Sequence, residues 1–209
     1  MKISYLITVH NEGEYLEGLL SSLILPTSLS GDEIVILDDY STDPVTIDIL
    51  TNAVTNHTHV SVHQHNLNGD FAAHKNAGNA LCKGEFIFQL DADELPPGEL
   101  IRHIHSIVTD SKADMIAVPR INIVDGLTPN DINRWGWTVD HRNWVMFPDY
   151  QTRIYRNDPR IKWSGTVHER IVGYNTLSQL PATELWSIVH HKDITRQREQ
   201  NQLYETMSQ

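Results

Sequence analysis

The chain has 209 residues, a formal net charge of −11 and a hydrophobic content of 40%. This length and composition fit a globular protein with one domain and a sizeable core, and they exclude a disordered chain. The negative charge disfavours nucleic acid as a partner, because non-specific affinity for nucleic acid depends on Lys and Arg.

Cysteine content and hydropathy limit the cellular setting. The single cysteine, Cys82, excludes an internal disulfide and is compatible with a reducing compartment. No apolar run approaches the roughly 18 residues that a bilayer-spanning helix needs, and the N-terminal segment is too polar for a signal peptide. We therefore expect a cytoplasmic protein without a transmembrane segment, for which any membrane contact would be peripheral.

Strand patterns alternate with helix-length segments over the first 120 residues. The predicted strands are Ile3 to Val9, Glu33 to Leu37, Val60 to His65, Phe86 to Leu90 and Met115 to Ile121. The predicted helices begin near Tyr15, Val45, Asp70 and Pro97. Strands separated by helices indicate βαβ units. We therefore predict a single α/β, Rossmann-like domain with a mostly parallel central sheet and helices on both faces.

The pattern becomes less regular after Gly126. Residues 125–143 combine tryptophans with polar residues and predict a long loop, of the kind that forms a lid or a ligand-facing surface. A short strand is predicted at Gln151 to Tyr155, and a polar helix at Asp193 to Met207.

Two carboxylates, Asp91 and Asp93, follow the fourth predicted strand. On an extended chain these side chains point the same way, towards the edge where open α/β sheets bind ligands. Two neighbouring carboxylates favour Mg²⁺ or Mn²⁺, which bridges carboxylates to phosphate oxygens and would offset the repulsion of a nucleotide diphosphate by this acidic chain. The alternative interpretation is an acidic turn.

Three further motifs stand at strand ends or helix starts. They are Thr8-Val9-His10-Asn11-Glu12, Asp38-Asp39-Tyr40-Ser41-Thr42-Asp43 and His74-Lys75-Asn76. Together with Leu90-Asp91-Ala92-Asp93-Glu94, and in this order, they resemble the family-two glycosyltransferases, which have the GT-A fold. The resemblance is firm over residues 1 to about 120. Farther on, Arg153-Ile154-Tyr155-Arg156 and Gly165-Thr166-Val167-His168-Glu169 resemble the lipopolysaccharide-core and related bacterial or viral branch.

The resemblance implies a nucleotide-diphosphate sugar as donor. The residues predicted to bind it are Thr8, Val9, Asn11, Glu12, Asp39, Lys75 and Asp91. Thr8 and Val9 would contact the base through their backbone, and Asp39 would accept from a pyrimidine N–H or a ribose hydroxyl. Two alternatives stay open: Glu12 as a cap of the first helix, and Lys75 as a solvated lysine.

The metal ligands implied by the resemblance are Asp91, Asp93 and His190. Asp93 is the expected direct ligand, whereas Asp91 would bind the ribose or reach the metal through water. His190 follows the apolar run Trp186-Ser187-Ile188-Val189, and the neighbouring His191 is the alternative. An imidazole ligand would favour Mn²⁺ over Mg²⁺. The other possibility is a histidine pair with a structural role.

Inverting sugar transfer needs a general base that removes a proton from the acceptor. Glu169 is the predicted base and Asp149 the alternative, because the Glu-Asp pair of many family members is missing here. The Gln-x-x-Arg-Trp motif of processive synthases is also missing, which favours transfer of one sugar.

The sequence therefore predicts a metal-dependent inverting glycosyltransferase acting on a hydroxyl of a glycan, lipid-linked sugar or protein. Residues 1–120 would bind the nucleotide sugar, and residues 121–209 would form the acceptor and catalytic half of the same domain. A non-catalytic nucleotide- or carbohydrate-binding module of the same fold is the alternative. A nucleotidyltransferase is disfavoured, because Asn11-Glu12-Gly13-Glu14 stands where its Gly-rich basic loop would be.

Overall fold

The computed structural model describes residues 1–166 and 169–207. The alternation predicted for the first half is confirmed. Its elements are β1 (Ile3–Val9), α1 (Gly13–Ser30), β2 (Glu33–Asp38), α2 (Pro44–Asn56), β3 (Val60–Gln64), α3 (Phe71–Asn79), β4 (Phe86–Asp91), β5 (Glu94–Leu95), α4 (Gly98–Ser111) and β6 (Met115–Asp125). In the part of the chain described, no helix is long and apolar enough to cross a membrane.

The second half is more regular than its sequence predicts. Its elements are α5 (Pro129–Trp135), β7 (Val145–Arg156), β8 (Lys162–Ser164), β9 (Arg170–Val172), β10 (Leu177–Gln179), β11 (Ile188–Asp193) and α6 (Ile194–Met207). The long loop predicted over 125–143 is interrupted by helix α5. Helix α5 forms there because Thr128 and Asp131 make a reciprocal capping box, with Pro129 in the first turn.

One large sheet runs through both halves of the domain. Its order is β3-β2-β1-β4-β7-β6-β11-β5, with β10 pairing to β6. The ladders β4–β7, β6–β7 and β5–β11 are antiparallel, and the other ladders are parallel. The mostly parallel sheet is thus confirmed, with β7 inserted as an antiparallel strand between β4 and β6.

Helices cover both faces of the sheet, as predicted. Successive residues of β1 belong to two different hydrophobic cores, one on each face of the sheet. Tyr5 lies in one core with Leu16 of α1 and Leu100 of α4, whereas Leu6 lies in the other core with Ala72 of α3. Burial on both faces explains why β1, β2 and β4 are almost continuously apolar.

The parallel register brings three strand ends together. Val9 pairs with Asp38 across β1–β2, and Thr8 pairs with Asp91 across β1–β4. The motifs that follow these strands therefore meet at one edge of the sheet, where doubly wound folds bind their ligands.

Candidate active site

A cavity of about 660 Å³ opens at the carboxyl ends of these strands. Most of the residues predicted to form the site line it: Thr8, Val9, Glu12, Asp39, Lys75, Asp91, Asp93, Asp149, Glu169 and His190. Asn11 and His191 are not among the lining residues.

Asp39 is held at the end of the cavity formed by β1 and β2. Its Oδ1 accepts from the backbone N–H of Leu67 at 2.8 Å, and its Oδ2 lies 3.7 Å from Nδ1 of His10. The Asn11 side chain instead joins the two loops, because its Oδ1 accepts from the amides of Thr42 and Asp43 at 2.7 and 2.9 Å. Asn11 therefore organises the loops around Asp39.

Glu12 is the N-cap residue of α1, as the alternative interpretation has it, but its side chain makes no capping hydrogen bond. Its carboxylate accepts a hydrogen bond from Arg196 of α6. Burial raises the pKa of Glu12, and the bond and charge of Arg196 offset this rise in part. The contact connects the first helix to the last one at the wall of the cavity.

Asp91 is fixed from within the sheet. Its Oδ1 accepts from Thr8 Oγ1 and Gln89 Nε2, both at 3.0 Å, and its Oδ2 accepts from Arg153 Nη2 at 2.7 Å. Burial alone would raise the pKa of Asp91, but the charges of Arg153 and Lys75 lower it well below its ordinary value. Asp91 is therefore an ionised carboxylate whose two oxygens both have partners.

Sequence reasoning gave no site role to Gln89 and Arg120 and used Arg153 only within a resembling motif. Arg153 is buried in β7, where it donates to Gln89, Asp91 and Glu94. Arg120 of β6 donates to the same Glu94 at 3.0 Å. One available signal was the polar Gln89 in an otherwise buried apolar strand, since such a group needs a partner.

Asp93 lies in a turn rather than on an extension of β4, so the expected extended geometry was wrong. The turn directs its carboxylate to the C-terminal part of the chain. Oδ2 lies 3.1 Å from His190 Nε2, 3.2 Å from Arg196 Nη2 and 4.0 Å from Lys192 Nζ. Burial raises the pKa of Asp93, but His190 and Lys192 outweigh this effect and hold it at about 2.

The two neighbouring histidines of β11 point to opposite sides. His190 is 8% exposed and contacts Asp93 through Nε2 and Asn122 Oδ1 through Nδ1, the latter at 2.9 Å. His191 is exposed and pairs with Asp125 at 2.7 Å. Of the two candidates, His190 is the one that reaches the cavity.

Asp93 and His190 fit a divalent cation. Within residues 1–166 and 169–207, three or more acidic, histidine or cysteine side chains do not come together as a complete metal-binding group. Asp91 faces Arg153 instead, which leaves one carboxylate and one imidazole at the cavity wall. Mg²⁺ and Mn²⁺ are commonly held by one or two protein ligands, with substrate phosphate and water oxygens completing the coordination.

Lys75 and Glu169 form a partly buried ion pair that also lines the cavity. Lys75 is 6% exposed, so the alternative of a solvated lysine was wrong. Its Nζ lies 2.7 Å from Glu169 Oε1 and 3.9 Å from Asp91 Oδ1. Gly78 allows α3, the helix that carries Lys75, to pack closely against β1, because a Cβ at position 78 would lie 2.7 Å from Leu6 Cδ1. Val167 and His168 of the same predicted motif lie outside the described residues.

Asp149 is saturated by hydrogen-bond donors. Its Oδ2 accepts from Arg120 at 2.7 Å and from Asn122 at 2.9 Å, and its Oδ1 accepts from Gln151 at 2.7 Å. Burial raises the pKa of Asp149, but Arg120 and these hydrogen bonds lower it overall. This carboxylate is stabilised as a permanent anion.

The fold and the site define a class of protein. A doubly wound sheet with an aspartate-lined cleft at its carboxyl edge is typical of nucleotide-binding α/β domains. The chain belongs to Glycosyl transferase family 2, whose model matches residues 4–178.

Two curated relatives are named glycosyltransferases. The poly(ribitol-phosphate) beta-glucosyltransferase of Bacillus spizizenii is 31% identical over 117 residues, which cover 55% of this chain and 18% of the relative. Glycosyltransferase GlyG of Streptococcus pneumoniae is 31% identical over 115 residues, covering 54% of this chain and 37% of the relative. This chain therefore corresponds to a minor part of each relative's length.

Solved structures of S. aureus TarS share the fold. The crystal structure of TarS 1–349 has a TM-score of 0.65 and 19% sequence identity, and the match covers 91% of this chain and 60% of that one. The complex of TarS 1–349 with UDP-GlcNAc has the same TM-score and 21% identity, covering 92% and 59%. The GT-A assignment is confirmed, whereas the lipopolysaccharide-core branch stays a prediction.

Proposed function

We propose that this domain is a metal-dependent inverting glycosyltransferase that transfers one sugar from a nucleotide-diphosphate sugar to a hydroxyl acceptor. The observation that carries the proposal is the convergence of Asp39, Asp91 and Asp93 on one cavity at the ends of three parallel strands. Membership of Glycosyl transferase family 2 supports the reaction class. The matching TarS complex contains UDP-GlcNAc, which supports a uridine donor.

Different residues of the cavity would bind different parts of the donor. Thr8, Val9 and Asp39 line the part of the cavity that suits the nucleoside, and Asp91 suits the ribose. Asp93 and His190 are the residues that would hold Mn²⁺ or Mg²⁺, and a bound ion would supply positive charge to the leaving diphosphate.

Two side chains of the C-terminal segment add fixed positive charge beside Asp93. They are Lys192, whose pKa is lowered by burial, and Arg196. Protein cations placed where negative charge develops stabilise the departing group without reorganisation. The second half of the chain thus completes a site that the first half begins.

Glu169 is the better candidate for the general base. It lines the cavity, and within residues 1–166 and 169–207 its side chain pairs with Lys75 through Oε1. Asp149 is held by Arg120, Asn122 and Gln151 and has a lowered pKa. A base must have a lone pair within reach of the acceptor hydroxyl, which favours Glu169.

A non-catalytic binding module is a second candidate because of one contact. The Lys75 ammonium lies 2.7 Å from Glu169 Oε1 and competes with an acceptor hydroxyl for that oxygen. The two candidates differ in turnover, since both bind a nucleotide.

Calorimetric titration with UDP, GDP, dTDP and CDP, each with and without Mn²⁺, tests the proposal. We expect one nucleotide to bind tightly and only with metal. With the matching sugar nucleotide, Glu169→Gln should lower kcat by about 10²–10⁴-fold and leave Mn²⁺-dependent nucleotide binding intact.

The outcomes separate the candidates. Failure of every nucleotide to bind the folded protein in Mn²⁺ would contradict the glycosyltransferase. Binding without sugar transfer or sugar-nucleotide hydrolysis would favour the binding module. A glycan, a lipid-linked sugar and a protein are the acceptors to screen, with cytoplasmic and membrane-peripheral location tested by fractionation.

A further inference from the structure

Three neighbouring strands place polar side chains in a row that ends at Asp93. Asn122 of β6 is the register partner of His190 in β11, and Arg120 of β6 is the partner of Asp149 in β7. Asp149 Oδ2 accepts from Asn122 Nδ2 at 2.9 Å, and Asn122 Oδ1 lies 2.9 Å from His190 Nδ1. His190 Nε2 then lies 3.1 Å from Asp93 Oδ2. We refer to Asp149, Asn122 and His190 as the relay.

The donors and acceptors of the relay have a fixed order. An ionised carboxylate only accepts, so the Asn122 amide must turn its NH₂ group to Asp149 and its oxygen to His190. That oxygen also only accepts, so Nδ1 of His190 must carry a hydrogen. The Asp93 carboxylate also only accepts, so a hydrogen or a metal ion must lie between it and Nε2. When a metal ion takes this place, the Nε2 lone pair binds it and the hydrogen stays on Nδ1.

Two acceptors that face each other at 3.1 Å require a positive species between them. Two adjacent corners of an octahedron with ligand distances of about 2.1 Å are roughly 3 Å apart, which matches this separation. The competing tautomer would donate from Nε2 to Asp93 and leave Nδ1 facing the Asn122 oxygen as a second acceptor. Asn122 therefore decides which nitrogen of His190 is available to a cation.

We propose that Asn122 and Asp149 are positioning residues that hold His190 in the tautomer able to bind the metal. This inference rests on the metal dependence of the proposed function. Hydrogen bonds from the distal nitrogen of a metal-binding histidine commonly set its tautomer and orientation. In this protein an amide makes that contact, and the carboxylate that orients the amide lies one strand farther away.

The relay also gives Asp149 a role other than that of a base. Arg120 and Gln151 hold the carboxylate in place, so that it offers Asn122 an ionised acceptor at all times. A sequence motif does not show this role, because Asp149, Asn122 and His190 are far apart in the chain and adjacent only in the sheet.

Mn²⁺ binding in the presence of UDP, followed by electron paramagnetic resonance on the full chain, tests the relay. Asn122→Leu removes the acceptor for Nδ1 at similar volume, and we expect Mn²⁺ affinity to fall about 10–100-fold. Asn175→Leu is the matched control, since it makes the same replacement at an exposed residue that contacts Asp114 through its backbone N–H and lies outside the cavity lining. Its Mn²⁺ affinity should stay within about threefold of the wild type. Unchanged affinity in Asn122→Leu, or equal losses in both variants, would overturn the proposal.

The tautomer itself provides a second readout, which needs no metal. Nitrogen-15 correlation spectra of the metal-free wild type at alkaline pH, with the His190 signal identified from its loss in His190→Gln, should show hydrogen on Nδ1. Hydrogen on Nε2 alone, with none on Nδ1, would overturn the relay. A wild type that binds no UDP with Mn²⁺ but shows the Nδ1 tautomer would contradict the proposed function while leaving the orienting role of Asn122 intact.

Discussion

Asp91 and Asp93 are separated by one residue, yet they face different parts of the molecule. Asp91 points to β1, β4 and β7, where Arg153 neutralises it inside the sheet. Asp93 points to β11 and α6, where His190 and two cations surround it at the cavity wall. The turn at Ala92 causes the difference. A short acidic motif can therefore supply one carboxylate that organises the core of the site and another that is available to a ligand.

Removing Arg153, the cation beside Asp91, should have the largest effect, and the quantity affected is the free energy of unfolding. Arg153→Met leaves Asp91 and Glu94 without their shared buried guanidinium, and breaking such a pair costs about 3–5 kcal/mol of unfolding free energy. Urea unfolding measures this loss. Arg156→Met, on the same strand but in an exposed pair with Asp114, should cost about 0–1 kcal/mol. Equal losses would contradict the distinction between the two arginines.

Removing the Asp93 carboxylate should mainly weaken metal-dependent binding of UDP. Asp93→Asn should weaken Mn²⁺-dependent UDP binding by at least about 100-fold, because changing a residue that merely orients a metal ligand already costs 10–100-fold. Asp91→Asn should keep the Mn²⁺ dependence. Calorimetry of UDP binding across Mn²⁺ concentrations makes the comparison, and a stronger metal effect at Asp91 would reverse the two roles.

Acid should remove the stabilisation that the ionised Asp93 carboxylate contributes, and it should do so in a defined pH range. The pKa of Asp93 is lowered from 3.8 to about 2, so its charge stabilises the fold above pH 4, and this contribution is lost as the pH falls towards 2. The loss amounts to about 2 kcal/mol for a shift of this size. Unfolding free energies measured across this range should fall less steeply in Asp93→Asn. An identical slope in the variant would show that Asp93 is not the group responsible.

The smallest effect is expected for Arg196, a cation beside Asp93, and the quantity affected is the affinity for UDP. Arg196→Gln removes a partly exposed cation from Glu12 and Asp93, and we expect UDP affinity to fall about threefold to fivefold, or ~1 kcal/mol. Arg198→Gln on the same helix is the control, because Arg198 pairs with Asp131 of α5. A loss as large in Arg198→Gln would show that helix α6, rather than the Arg196 charge, is responsible.

The strand ends at Asp39 and Asp91 show why the first half of the chain could be predicted from its sequence. Asp39 and Asp91 each follow a buried apolar strand, and parallel strands bring their ends to one edge by a general rule. Local patterns and chain order were therefore sufficient for the fold and for these positions. The position of Asp93 was also predicted, whereas the turn that redirects it was predicted only as the alternative interpretation.

The relay and Arg153 show what sequence could not provide. Asn122 and Arg153 lie within strands, so their roles depend on which strands are neighbours and on the register between them. Strand β7 is antiparallel and enters the sheet between β4 and β6, out of chain order. No local pattern in the sequence encodes that insertion, and the contacts of Arg153 with Asp91 and of Asp149 with Asn122 follow from it.

The insertion of β7 also determines how the protein can be divided. Strands β4 and β6 are not hydrogen-bonded to each other, since β7 (Val145–Arg156) fills the space between them. A fragment ending near residue 120 would therefore leave β4 with an unpaired edge and β6 without its strand partners, and such edges are templates for aggregation. A division of the protein that keeps β4 and β6 in one sheet must therefore retain the residues up to 156.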